Sequence, residues 1–172
     1  MSIAEVSRFD LPGFAGTLIH PDHADYDDAR RVYNGMIDRR PAVIARCSSA
    51  DDVVLAIGLA RREGLPLSVF GGGHAVTGAS VCDGGVCIDM RGMKGMTIDP
   101  AAQTCRVEAG LNWGEFDAAT AAYGLVLTGG RNPTTGVAGL SLGSGSGWLE
   151  RKFGFVCDNL ISAEVVTANG RK

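Results

Sequence analysis

Aromatic residues are sparse, 6% of 172 positions, and no apolar run approaches the roughly 20 residues that a membrane-spanning helix requires. The stretch Met1-Ser2-Ile3-Ala4-Glu5 has neither the basic start nor the hydrophobic segment of a signal peptide, so no membrane partner is expected and the cytoplasm is the expected compartment. Basic blocks are lacking as well. Sixteen Lys and Arg against 19 Asp and Glu leave a net charge of −3, which gives a nucleic acid no electrostatic footprint. Five cysteines, Cys47, Cys82, Cys87, Cys105 and Cys157, form an odd set without a C-x-x-C pair, so neither a disulfide scaffold nor a zinc site is expected and most read as core thiols. The three histidines, His20, His23 and His74, make no metal-like set, and His20 and His23 read as surface residues of a loop-like Leu18–His23. No metal site follows.

What the chain has is glycine, 25 copies in a composition that is 45% hydrophobic and 20% charged, which is that of a globular chain able to bury a core. The run Phe70-Gly71-Gly72-Gly73-His74-Ala75-Val76-Thr77-Gly78 is the most informative segment. Glycine has no Cβ to block a ligand and tolerates positive φ, so three in a row can curl their N–H groups into an anion nest, and the histidine adds a neutral nucleophile. A plain flexible turn is the alternative. A second tract, from Thr128-Gly129-Gly130 through Gly136, Gly139, Gly143, Gly145 and Gly147, is interleaved with small and apolar residues, and two such tracts read as two walls of one long ligand.

Along the chain, Ala24 to Ile37 is helix-compatible and Arg39-Arg40-Pro41 stops it. Ala42–Arg46 reads as a strand. Ser49 with Asp52 resembles a capping box ahead of a helix that Gly64 ends, and Leu67–Phe70 forms a second strand that delivers the glycine run. Gly85–Asp89, Met96–Asp99 and Cys105–Glu108 read as a small meander, Asn112 with Glu115 opens a helix that ends near Gly124, and Leu160–Thr167 reads as a strand leading into an Asn169-Gly170 turn. Stopping on a hairpin signal without its returning strand points to a shortened chain. A Rossmann reading fails for want of G-x-G-x-x-G spacing, of a helix starting at the glycines, and of an acidic residue ending a following parallel strand. A Walker loop fails for want of G-K-S or G-K-T.

The ordered set Pro41–Ile44, Ser49–Val53, Phe70–His74, Val86–Met90, Val107–Gly110, Thr135–Leu140, Gly143–Leu149 and Asp158–Leu160 resembles the FAD-binding domain of the vanillyl-alcohol-oxidase and berberine-bridge-enzyme-like flavoprotein oxidases. The resemblance spans roughly residues 40 to 172 and rests on several ordered motifs rather than one. It implies an α+β fold, a PCMH-type domain of two α/β subdomains with FAD bound between them, incomplete at the C-terminus. Residues 1–39 would be an extension with a helix, 40–95 about the first subdomain and 96–172 about the second.

By the same resemblance, Phe70, Gly71, Gly72, Gly73, His74, Ala75 and Gly78 would line the pyrophosphate and ring-attachment side of FAD. Pro133, Thr134, Gly136, Gly139, Gly143 and Gly147 would form the second wall, and Asp158, Asn159 and Val165 would lie towards the ribose and adenine. His74 corresponds to the histidine that is joined covalently to the flavin 8-methyl carbon. Thr134 and Asn159 also have an ordinary reading as turn residues. Departures from the family pattern are Phe70 where many relatives carry arginine, Ala75 where they carry serine, Ser144 and Ser146 within the second tract, and Asn132 where bicovalent relatives place an attaching cysteine. Cys157 reads as a buried thiol. The implied activity is hydride transfer from a small-molecule substrate to flavin with O2 as acceptor. A C-terminal domain absent here would supply the substrate pocket and the base, so no catalytic residue is nominated. The alternatives are a stand-alone flavin-binding or interaction fragment without turnover, or a glycine-rich domain without cofactor.

Overall fold

The computed structural model describes residues 9–172, and the Met1–Glu5 start read for a leader lies outside the described residues. The chain divides into two compact units, Met1–Gly92 with Glu164–Lys172, and Met93–Ala163.

The first unit is built on a four-stranded sheet of order β1-β2-β4-β3, formed by β1 (Thr17–Ile19), β2 (Val43–Arg46), β3 (Leu67–Phe70) and β4 (Val86–Asp89). β2 and β3 flank β4 in parallel, while β1 adds antiparallel to β2. Val43, Ile44 and Ala45 of β2 and Val86, Cys87 and Ile88 of β4 are all buried, which is why these strands read as unbroken apolar runs. β3 is an edge strand and alternates, with Ser68 and Phe70 inward and Leu67 and Val69 outward. Three expectations change here. Gly85–Asp89 does not open a meander but supplies the central parallel strand. Leu18 and Ile19 are strand rather than loop, with Ile19 in the core and His20 half-buried. A parallel strand following the glycine run does end in an acidic residue, Asp89, but that carboxylate is wholly buried.

Asp89 receives Arg46 Nε at 2.9 Å on one oxygen, and Arg91 reaches both oxygens, with Nε at 2.8 Å and Nη2 at 2.9 Å. Burial pushes this carboxyl up, but the two guanidiniums outweigh it and hold it below the usual aspartate range. Both arginines thereby neutralise it, leaving no free lone pair for a ribose.

The helix α2 (Ala50–Glu63) joins β2 to β3, after the single-turn α1 (Tyr26–Ala29). Ser49 caps α2 by accepting the Asp52 N–H at 3.2 Å, a contact that stabilises the helix by about 1 kcal/mol, and Gly64 closes it in the left-handed conformation. The capping box is half made. Asp52 does not return the bond but accepts from the Ser48 N–H, the Ser48 hydroxyl and the Ala15 N–H, at 2.8, 2.7 and 2.8 Å, tying the preceding chain to the helix start. Burial raises the Asp52 pKa, and these donors bring it below the ordinary value.

The helix expected over Ala24–Ile37 is confined to Tyr26–Ala29. Tyr26 and Ala29 enter the core with Val32, Ile44, Phe70, Val81 and Cys87, and Ile37 packs on that cluster. Beyond Arg30 the chain spends its polar groups on the glycine loop instead of on a helical ladder.

The second unit holds a two-stranded hairpin, β5 (Met96–Asp99) and β6 (Thr104–Val107), and the helices α3 (Trp113–Ala121), α4 (Val137–Leu142) and α5 (Glu150–Phe153). Asn112 and Glu115 form the complete capping box of α3. Trp113 and Phe116 meet edge to face at 5.1 Å and join Leu111, Val137 and Val156 in a core where Trp113 is fully buried. Removing such an indole costs roughly 3–5 kcal/mol. Leu160–Thr167 is not a strand, because no ladder partner is present among the described residues, although the Asn169-Gly170 turn forms. All five cysteines are free, but only Cys47 and Cys87 are buried, and Cys157 is exposed, contrary to the core-thiol expectation.

Two predictions follow from these contacts. The stability that Asp52 and Asp89 contribute is present above the unfolded aspartate pKa of about 3.9 and is lost as pH falls below it towards their lower folded values. Thermal melts at stepped pH are expected to hold from neutrality to about pH 4.5 and to drop steeply below about 4, and Asp89→Asn should cost about 3 kcal/mol at pH 7 while softening that acid limb. Burial pushes the Cys47 and Cys87 thiols up to about 12, so a thiol reagent at pH 8 should label exposed Cys157 first, Cys105 more slowly because its pKa is raised too, and Cys47 and Cys87 only after unfolding.

Candidate functional site

β3 ends by placing Phe70 in the core, and the chain leaves it as the loop Gly71–Gly78. Phe70 is therefore a support and can offer a ligand little but its backbone. Gly73 has φ +71°, and a Cβ there would come 2.6 Å from the Phe70 ring, so only glycine lets the backbone approach the aromatic side chain this closely. The Arg91 guanidinium also covers that ring, 4.0 Å from its centroid. The N–H groups of Gly71, Gly72 and Gly73 donate to no acceptor among the described residues, as an anion nest requires.

His74 follows, half-buried and stacked on Tyr33 with ring centroids 4.2 Å apart and planes 20° from parallel. Burial lowers its pKa from the ordinary histidine value, which favours the neutral imidazole at pH 7, the nucleophilic form of the ring. The loop's other end is closed by the Gly78 N–H on the Ala75 carbonyl at 2.9 Å. Val165 is exposed in the irregular segment ahead of the Asn169-Gly170 turn.

In the second unit the tract is shaped by α3. The Trp113 and Gly114 N–H groups, which a helix start leaves without partners, are taken by the Thr135 and Pro133 carbonyls at 2.9 and 2.8 Å, and Gly136 bridges to Asn112. Asn132 Oδ1 accepts from the Thr134 N–H and hydroxyl at 3.0 and 2.8 Å, so Pro133-Thr134 sits in a turn fixed by Asn132. Gly129 and Gly130 lie against the Trp113 indole, and Gly147 packs onto the Gly129 backbone, where a side chain would collide.

Gly139 and Gly143 differ, since a Cβ at Gly139 meets nothing within 4 Å and one at Gly143 meets only carbonyls of its own turn at 3.7 and 3.8 Å. Packing does not require glycine at either exposed position, so both are open to close approach by a ligand. Asp158 accepts the Phe155 N–H at 2.8 Å, and the Asn159 amide donates to the Phe153 and Phe155 carbonyls at 2.9 Å each, which is turn chemistry on the surface.

Sequence reasoning missed the partners that hold the first loop. Tyr33 N–H donates to the Gly73 carbonyl at 3.1 Å, Asn34 Nδ2 to the Val76 carbonyl at 2.9 Å, and Arg39 Nη1 to the Gly78 and Val81 carbonyls at 2.9 and 3.0 Å. The available signal was Asn34-Gly35, a turn dipeptide inside the supposed helix.

The FAD binding domain family matches residues 41–172. (R)-6-hydroxynicotine oxidase of Paenarthrobacter nicotinovorans is 37% identical over 155 residues, covering 90% of this chain and 34% of that protein. The FAD-linked oxidoreductase YgaK of Bacillus subtilis is 32% identical over 157 residues, 91% of this chain and 35% of its own. Among solved structures, 6-hydroxy-D-nicotine oxidase from Arthrobacter nicotinovorans superposes with a TM-score of 0.90 at 37% identity over 92% of this chain and 35% of that one. BBE-like 1 of Physcomitrella patens gives 0.89 at 30% identity over 99% of this chain and 37% of that one. The chain thus spans about a third of the length of these relatives. With its α+β architecture and its glycine loop, it belongs to the FAD-binding-domain family of FAD-linked oxidoreductases.

Proposed function

We propose that this chain is the flavin-holding part of an FAD-dependent oxidase in which His74 carries the flavin covalently and an organic substrate gives up hydride, with O2 as the final acceptor. The carrying observation is the pairing of three N–H groups, Gly71 to Gly73, that donate to no acceptor among the described residues, with an adjacent imidazole whose pKa burial lowers. These residues fit FAD, since the N–H groups suit a diphosphate and the neutral imidazole suits an electrophilic methyl carbon. When bound, the flavin supplies the two-electron redox chemistry, and the protein supplies binding and orientation. Gly71–Gly73 hold the anion and His74 holds the ring. Gly139 and Gly143 admit close contact, and Asn132 fixes the Pro133-Thr134 turn. The substrate pocket and the base are assigned to polypeptide outside this third, and the cytoplasm to the whole protein.

A second reading, a flavin-binding body without turnover, is favoured by the exposed Leu142, Trp148 and Ile161 side chains, which a catalytic assembly would cover. It predicts bound flavin that no substrate bleaches.

Acid precipitation followed by a denaturing gel tests the attachment: flavin fluorescence should stay with the unaltered protein and vanish in His74→Ala. Persistence of acid-stable flavin in that variant would sink the assignment. Because burial lowers the His74 pKa from the usual value of about 6.5, attachment should hold as pH falls from 8 to 7 and should slow as pH falls through that lowered pKa and the imidazole takes up its proton. A rate already falling between pH 8 and 7 would contradict this.

A further inference from the structure

We infer that Tyr33–Arg39 is a clamp on the glycine loop in which Tyr33 is a positioning residue that orients the His74 imidazole for flavin attachment. The inference rests on the attachment reading given above. Four residues of this short segment grip the loop. Tyr33 acts twice, its N–H bonding the Gly73 carbonyl at 3.1 Å and its ring stacking on His74 at 4.2 Å, so one residue fixes both the peptide that precedes the nucleophile and the nucleophile's plane. Asn34 donates to the Val76 carbonyl at 2.9 Å while its own Oδ1 accepts the Met36 N–H at 3.1 Å, which stiffens the donor. The Ile37 side chain fills the space beside Gly78, 2.7 Å from where a Cβ would stand. Arg39 Nη1 binds the Gly78 and Val81 carbonyls and closes the far end.

All of these bonds fall on carbonyls, and none uses the Gly71–Gly73 N–H groups, so the clamp leaves the anion-facing donors open. Core packing does not explain Tyr33. Tyr33 is 67% exposed, so its stack contributes little burial, and what the stack does is lay the phenol ring against one face of the imidazole and limit its rotation about χ2. The segment also lies ahead of residue 41, where the match to the FAD binding domain begins.

In the attachment, a His74 ring nitrogen forms a bond to the flavin 8-methyl carbon. One C–H bond of that methyl breaks, the imidazole N–H proton is also released, and the electron pair passes through the ring system to dioxygen, which leaves with both protons as hydrogen peroxide. Orientation matters because the nitrogen lone pair lies in the imidazole plane, and the stack sets that plane.

The test compares the unaltered protein with Tyr33→Leu, Tyr33→Phe and His74→Ala. Each is prepared without flavin and incubated with FAD in air, and acid-stable flavin is followed over time. Non-covalent FAD affinity, the melting temperature and the His74 ring-proton NMR shifts of the flavin-free protein are measured alongside. Tyr33→Leu should attach flavin roughly threefold to tenfold more slowly, the scale that one ring stack sets. Its affinity and melting temperature should be unchanged, and the His74 ring protons should move downfield as the ring current is lost. Tyr33→Phe, which keeps the ring, should restore rate and shift. A Tyr33→Leu rate equal to that of the unaltered protein, with His74→Ala blank, would overturn the clamp and leave the attachment standing. An unchanged His74 shift in Tyr33→Leu would also overturn the clamp. Acid-stable flavin on His74→Ala, or none on the unaltered protein, would instead overturn the attachment reading, and the inference with it.

Discussion

The buried carboxylate of Asp89 is the constraint on which the first unit turns. It sits at the end of the central strand, and its two arginines come from different places: Arg46 from the end of the neighbouring parallel strand, and Arg91 from the turn that follows. A dry carboxylate without these partners would face a desolvation cost of several kcal/mol, so the pair locks the two strand ends in register. Arg91 also lies over Phe70 and donates to the Ala29 carbonyl. Through that one guanidinium the strand end, the aromatic support of the glycine loop and the turn of α1 are held together.

Local signals were legible where the chemistry was local. Ser49 and Gly64 bracketed α2, Asn112 and Glu115 opened α3, the apolar run at Val43–Arg46 is a strand because a buried parallel sheet needs such runs, and Leu67–Phe70 shows the alternation of an edge strand. What failed depended on distant partners. Gly85–Asp89 has the same composition as a meander strand, and only its pairing with both β2 and β3 makes it central. Ala24–Ile37 has helical composition, yet Tyr33, Asn34 and Arg39 use their donors on carbonyls 40 or so residues away in sequence. Leu160–Thr167 has strand composition but joins no sheet among the described residues.

The candidate site was legible in the same uneven way. A triple glycine ahead of histidine identifies the nest and the nucleophile, because both properties belong to the residues themselves. The second tract mixes two kinds of glycine that a sequence does not separate. Gly129, Gly130 and Gly147 are small because Trp113 or another backbone presses on them, whereas Gly139 and Gly143 face open space. Six-residue α4, which lies inside that tract, carries no apolar periodicity long enough to announce it.

The irregular Leu160–Thr167 segment leaves apolar surface uncovered. It joins no sheet among the described residues and exposes the apolar side chains of Leu160, Ile161 and Val165, a combination that invites strand addition from a second copy. Handled in isolation at high concentration, the chain would carry a built-in seed for aggregation, and whatever covers this segment acts on solubility as much as on architecture.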